Sequence, residues 1–307
     1  MQDVMRDLFM STSIGRTAWG IARKVRFRSE DILWHLQSPW WWDAGRRALY
    51  TATPPLFIGG TGGSGTRVFA RIAEAAGLFM GAHLSARYDA DGMVRYVDRW
   101  KDAIHLDRVA VSLPQQMDRD LEAALIWHRR GMVNPQSPWG AKHPRLMYFL
   151  PHLHTRFPLL KFIHVVRDGR DMAFSQNQFQ LETLGELYSP DLRSRLAGAP
   201  KPVRSIAFWS QANLTIAHLG RQLLGPQYLR VRFEDVCATP TPVIRQVFDF
   251  LGTGSPNLEM ALASVDASQS IGRWRSQPSF ILEQLHREGE AGLREFGYTD
   301  SGDTSAQ

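Results

Sequence analysis

The chain has 307 residues, 44% hydrophobic and 21% charged, with 36 basic against 30 acidic side chains for a net charge of +6. That length and balance suit an α/β enzyme and exclude disordered, collagen-like and disulfide-scaffold classes. The single cysteine, Cys237, excludes an intramolecular disulfide and cysteine-based zinc fingers, and the small cation excess, nearly all arginine, is spread too thinly for a nucleic-acid face.

Residues 1–53 differ from the rest: a basic run from Arg16 through Arg23, Lys24, Arg26 and Arg28 is followed by Trp34 and the triplet Trp40, Trp41 and Trp42. Two readings of this extension stand. It lies on an anionic membrane surface, or its tryptophans cover the domain's own core. Asp3, Arg6 and Asp7 interrupt the first twenty residues, so no secretory h-region is visible, and no apolar run approaches the ~20 residues of a membrane span. The expectation is a cytoplasmic protein, soluble or peripheral at a membrane.

From Pro54 the pattern alternates. Leu56 to Ile58 reads as a strand, and apolar residues at helical spacing from Arg67 to Ala76 read as a helix. A second strand is predicted at Leu78 to Met80, then helices near Arg95 to Val111 and Asp118 to Arg130. Lys161 to Val166 is a buried strand followed by a helix from about Arg170; Leu229 to Phe233 is another strand, and Thr241 to Leu251 a helix capped by Gly252. Strands alternating with helices over residues 54–300 predict one α/β domain: a P-loop-type parallel sheet covered by helices on both faces. Residues 301–307 read as a loose tail.

Between the first strand and helix stands Gly59-Gly60-Thr61-Gly62-Gly63-Ser64-Gly65-Thr66-Arg67. Glycines there let backbone N–H groups turn inward toward a phosphate or sulfate, and the helix start adds positive potential. Gly60-x-Gly62-x-x-Gly65 matches the dinucleotide fingerprint, but Ala82-His83-Leu84 supply no acidic residue for a ribose. Gly60-x-x-x-x-Gly65-Thr66-Arg67 matches a nucleotide P-loop without its lysine. Arg67, a cation in the first turn of a helix, opposes the macrodipole unless an anion is there too; otherwise it is a solvated surface arginine. Farther on, the 162–166 strand delivers Arg167 to its C-terminal end, with Ser175 eight residues later. A forked guanidinium plus a hydroxyl can hold a phosphate, while Asp168 or Asp171 can cap the helix.

Together these residues resemble the sulfotransferase superfamily, whose members move a sulfuryl group from 3′-phosphoadenosine 5′-phosphosulfate (PAPS) to a hydroxyl or amine. Gly63-Ser64-Gly65-Thr66 is similar to the family's 5′-phosphosulfate loop, and Arg167 with Ser175 to its 3′-phosphate motif. Tyr228 to Asp235 with the helix ending Phe250-Leu251-Gly252 resembles a late strand-helix unit, and Ile271 to Arg275, including Arg273, the C-terminal element. The resemblance implies a sulfotransferase-like fold, PAPS as donor, no metal, and a donor site of Gly62, Gly63, Ser64, Gly65, Thr66, Arg67, Arg167, Ser175 and Arg273. The implied partner is a small-molecule or glycan acceptor, with a carbohydrate or glycolipid hydroxyl expected.

One departure stands out: relatives carry a lysine or arginine where this chain has Gly63. Arg67 or Lys142 is then the candidate cation on the bridging oxygen. For the catalytic base, the resemblance offers His83, close to where other branches place a glutamate, and His143, near the place of a histidine after a lysine; Asp89 or Asp91 comes next. A non-catalytic PAPS- or nucleotide-binding protein and a P-loop kinase with a displaced lysine are the alternatives.

Overall fold

A computed structural model of the chain describes residues 53–103, 115–188, 192–266 and 269–298. The expected N-terminal extension, apart from Thr53, and the expected tail lie outside these residues.

Strand β1 (Leu56–Gly60) leads into helix α1 (Thr66–Ala75), followed by α2 (Asp91–Trp100) and α3 (Gln115–Arg129). Strand β2 (Gly140–Lys142), a 3₁₀ run (Pro144–Phe149) and α4 (Leu150–Arg156) come next, then β3 (Lys161–Val166), α5 (Gly169–Ala173), α6 (Phe179–Tyr188) and α7 (Leu192–Arg195). The long α8 (Lys201–Leu224), β4 (Tyr228–Arg232), α9 (Phe233–Ala238), α10 (Pro240–Leu251), α11 (Leu258–Leu262) and α12 (Ser279–Glu295) complete the domain. The sheet order is β2-β1-β3-β4, and all three pairings are parallel.

β1 is apolar throughout because both of its faces are covered. Leu56 and Ile58 pack toward α1 and α10 with Ile163, Val165 and Val231. Phe57 points the other way with Ala141 and Phe162, toward α2, α3 and α8. The α/β sheet with helices on both faces is therefore as expected. α1 carries Val68, Phe69, Ile72 and Ala73 on its buried face, and α10 ends at Gly252, left-handed at φ 68° as a C-cap requires.

Three expectations need correction. Leu78 to Met80 contributes only one parallel bridge, Phe79 to Trp139, because the chain turns at Gly77 and Gly81 on either side. The sheet's edge is instead Gly140–Lys142, hidden in the sequence by its glycine, alanine and lysine. The helix expected from Arg95 starts earlier, at Asp91, and ends at Trp100; residues 104–111 lie outside the described ones. The helix after β3 stops at Ala173, so Ser175 lies just beyond it rather than two turns inside. Gln178 explains the stop: its side-chain amide donates to the carbonyls of Met172, Ala173 and Ser175, replacing the bonds a longer helix would make. α8 is buried on several sides, which blurs its apolar spacing, whereas α12 buries one face through Ile281, Leu285, Gly289 and Leu293, and two of its five buried positions are glycines.

Candidate functional site

β1 delivers the glycine loop to the C-terminal edge of the sheet, where ligands of parallel sheets collect. The loop turns tightly, with Ser64 N–H donating to the Thr61 carbonyl at 3.0 Å. Gly65 precedes the first turn of α1 at φ 88°, and no side chain caps the helix and no acidic residue sits in its first turn. The hydroxyls of Thr61 and Ser64 are buried without a hydrogen-bond partner. Open N–H groups, two unsatisfied hydroxyls and a helix N-terminus together form a donor-rich cradle suited to an anion.

A Cβ on Gly65 would overlap the ring of Phe233 and force a left-handed residue at a crowded point. Gly65→Ala is expected to destabilise the domain by roughly 2–5 kcal/mol, adding left-handed strain to overpacking. Chemical denaturation followed by tryptophan fluorescence checks this; a variant as stable as the parent would mean that the loop is not held by Phe233.

Arg167 leaves the end of β3 and reaches this loop. Its guanidinium donates through Nη1 to the Gly63 carbonyl (3.3 Å) and through Nη2 to Ser270 Oγ (2.7 Å), and it lies over the Phe233 ring. It is only 6% exposed, and Nε is buried with no partner. Burial pushes its pKa down from the ordinary arginine value, an effect that Asp171 and Glu234 oppose and Arg273 reinforces. Arg273 Nε donates to the carbonyl of Ser270, whose hydroxyl Arg167 bonds, so two arginines meet at one residue beside a partnerless N–H, a set that fits a dianion. Ser175 lies close, its Oγ 3.9 Å from where a Gly63 Cβ would stand, and accepts the N–H of Asn177.

The scaffold beneath is tightly fixed. Asp168 caps α5 by accepting the Arg170 N–H, as expected of one of the two aspartates. Asp171 instead accepts the backbone N–H groups of Gly272 and Trp274 at 2.8 and 3.3 Å, which pins the segment that carries Arg273. Arg170 stacks on Trp274 at 3.8 Å and donates to the Tyr298 carbonyl. Burial raises the Asp171 pKa, against the pull of those two backbone bonds.

Lys142 ends β2 beside Ile58 of β1. Its ammonium is buried and donates to Asp89 Oδ1 at 2.8 Å and to the Arg87 carbonyl at 2.9 Å. Burial pushes its pKa down, the Asp89 carboxylate works in the other direction, and the charge of exposed Arg67 is felt there. Arg67, Lys142 and Asp89 thus share one neighbourhood at the sheet's C-terminal edge.

The two histidines are placed differently. His83 is exposed and stacks on Trp127 of α3 with ring centroids 4.8 Å apart. The neighbouring His128 bonds the carbonyl of Gly140, at the start of β2 rather than its end. His143 is buried, and its Nδ1 accepts the N–H of Arg145 at the head of the 3₁₀ run, which assigns the proton of the neutral ring to Nε2. The 83–91 loop therefore folds so that Asp89, and not His83, meets Lys142.

Sequence reasoning missed Asp171, Ser270 and the pairing of Asp89 with Lys142. Asp171 was visible only as a possible cap, and Ser270 follows no local pattern. The lysine–aspartate pair bridges 53 residues. Among the described residues there is no group of three or more His, Cys, Asp or Glu placed to hold a metal ion, and no helix is long and apolar enough to cross a membrane.

The profile of the Sulfotransferase family matches residues 54–256, more than half of the chain. No curated protein matches it in sequence. Among solved structures, sulfotransferase STF1 from Mycobacterium tuberculosis H37Rv is similar over 80% of this chain and 79% of its own, at 14% identity and TM-score 0.47. The sulfotransferase domain of the Synechococcus PCC 7002 olefin synthase covers 80% of this chain and 95% of its own at 18% identity and TM-score 0.45. Retinol dehydratase in complex with androsterone and the inactive cofactor PAP covers 85% of each chain at 14% identity and TM-score 0.41.

Proposed function

The chain belongs to the sulfotransferase family, and from that premise we propose that it moves a sulfuryl group from PAPS to a hydroxyl or amine acceptor. The observation that carries the choice of donor is Arg167, which ties the Gly63 carbonyl to Ser270 while its Nε, Ser64 Oγ and Thr61 Oγ1 stay buried and partnerless. These groups fit a nucleotide with one phosphorylated 5′ end and a separate 3′-phosphate. Family membership sets aside the kinase alternative, whose P-loop lysine is in any case replaced by Thr66-Arg67.

In this reading the loop N–H groups with Ser64 and Thr66 hold the 5′-phosphosulfate, and Arg167, Ser175 and Arg273 hold the 3′-phosphate. When bound, PAPS supplies a sulfuryl group on a phosphate leaving group. Arg67 and Lys142 provide positive charge at the loop in place of the cation absent at Gly63, and Asp89 removes the acceptor's proton. A carbohydrate or glycolipid hydroxyl, the acceptor that the family resemblance implies, completes this reading.

Calorimetry is expected to show adenosine 3′,5′-bisphosphate (PAP) binding far more tightly than ATP or NAD; the opposite order would overturn the donor assignment. Turnover of labelled PAPS, assayed against sugars, glycolipids and phenols, identifies the acceptor and separates an enzyme from a non-catalytic binder. Activity is expected to survive thorough EDTA treatment, since the charge is met by Arg67, Lys142 and loop amides. An absolute magnesium requirement would contradict this.

A further inference from the structure

The glycine at position 63 leaves the loop without its own cation, yet the tip of the loop is not bare of donors. A Cβ on Gly62 would lie 3.5 Å from two carboxamide nitrogens, Asn177 Nδ2 and Gln180 Nε2. Asn177 is exposed, whereas Gln180 is only 7% exposed. Gln180 is also oriented: its Oε1 accepts the hydroxyl of fully buried Tyr148 at 3.0 Å, and that bond leaves Nε2 as the end facing the loop. Tyr148 comes from the 3₁₀ run packed under β1, so a core residue fixes the angle of a side chain at the site. Gln180 Nε2 is not one of the enclosed polar atoms left without a partner, so this amide donor, held in one orientation by Tyr148 and set against the tip of the anion loop, stays open to a ligand.

We infer that Gln180 donates a hydrogen bond from Nε2 to a non-bridging oxygen of the sulfuryl group, with Tyr148 as the positioning residue that sets the amide. This rests on the PAPS reading above and adds the residue that takes part of the role of the missing loop cation. The donor is neutral, so it favours an oxygen on which charge accumulates without altering the net charge of the site, and it is preorganised before any ligand arrives. The Nε2 donor faces the tip of the loop at Gly62, whereas the 3′-phosphate residues Arg167 and Ser175 face Gly63. Its effect therefore separates ligands that carry the sulfuryl group from those that do not.

The test compares PAPS with PAP by calorimetry without acceptor, alongside steady-state kinetics. Gln180→Met keeps the length of the side chain and removes the donor; it is expected to weaken PAPS about 10-fold, leave PAP within about twofold, and lower kcat about 10- to 100-fold. Tyr148→Phe keeps the ring in the core and frees the amide to rotate, and is expected to weaken PAPS about threefold with PAP unchanged. Equal losses for PAPS and PAP in either variant, or no loss for PAPS, would overturn the role of Gln180. If the parent protein fails to bind PAP at all, the donor reading fails instead, and the two results are distinct. Should Gln180→Met fail to fold, Tyr148→Phe with the same ligand pair decides the question.

Discussion

Asp89→Asn is expected to lower kcat by ~10²–10⁴ while PAP affinity stays close to that of the parent, the pattern left when a proton acceptor is lost and a nucleotide site is not. The argument is positional. Asp89 is the carboxylate that the 83–91 loop brings to Lys142 at the C-terminal end of β2, next to the strand that ends in the phosphate loop. His83 is held on Trp127 beside residues at the start of β2, and His143 has its acceptor nitrogen engaged by the Arg145 N–H. His83→Ala and His143→Ala are accordingly expected to keep kcat within about tenfold, the small end for groups outside the proton transfer.

Asparagine at position 89 retains an oxygen for Lys142 but not the counter-charge of the buried ammonium, so a loss of thermal stability is expected beside the loss of basicity. Lys142→Met provides the contrast. It removes a buried charge that Asp89 holds, lowers kcat through lost charge stabilisation, and also lowers thermal stability because the pair is broken from one side. A full-activity Asp89→Asn enzyme, or a His83→Ala enzyme that loses 10²-fold or more, would return the base to the histidine.

The parts of this site that sequence could supply are those encoded locally. The run from Leu56 to Arg67 places strand, glycines and helix within a dozen residues, and Lys161 to Ser175 does the same for the second half, so periodicity and turn chemistry suffice for both. What escaped is encoded by distance. β2 offers three residues with no β-branched or aromatic member, and it is a strand only because β1 lies beside it. Gln178 reads as an ordinary polar loop residue, yet its amide ends α5 and so sets where Ser175 stands. Asp171 looks like a helix-start carboxylate, yet it spends both oxygens on backbone a hundred residues away. Gln180 carries no signal at all until Tyr148 and Gly62 are seen on either side of it. The histidines show the converse: their residue type and spacing are visible in the sequence, whereas their orientation is not.

Arg167→Ala is expected to weaken PAP by about 10- to 150-fold, or ~1.5–3 kcal/mol, the scale of a hydrogen-bonded charge on a phosphate. The loss should be selective. Adenosine 5′-phosphosulfate, which has no 3′-phosphate, should change by no more than about threefold if the guanidinium acts on that group directly. A competing effect must be weighed, because Arg167 also donates to the Gly63 carbonyl and to Ser270, and its removal slackens the loop and the 270–276 segment together. Slackening would harm both ligands alike, whereas a lost 3′ contact harms only one, so the ratio of the two affinities decides between them. Arg167→Lys sharpens the comparison: the charge remains, but one ammonium cannot span Gly63, Ser270 and a phosphate as a planar fork does. It should therefore recover only part of the PAP affinity. Equal losses for the two nucleotides in Arg167→Ala would make Arg167 a brace for the loop and move the 3′-phosphate contact to Ser175 and Arg273.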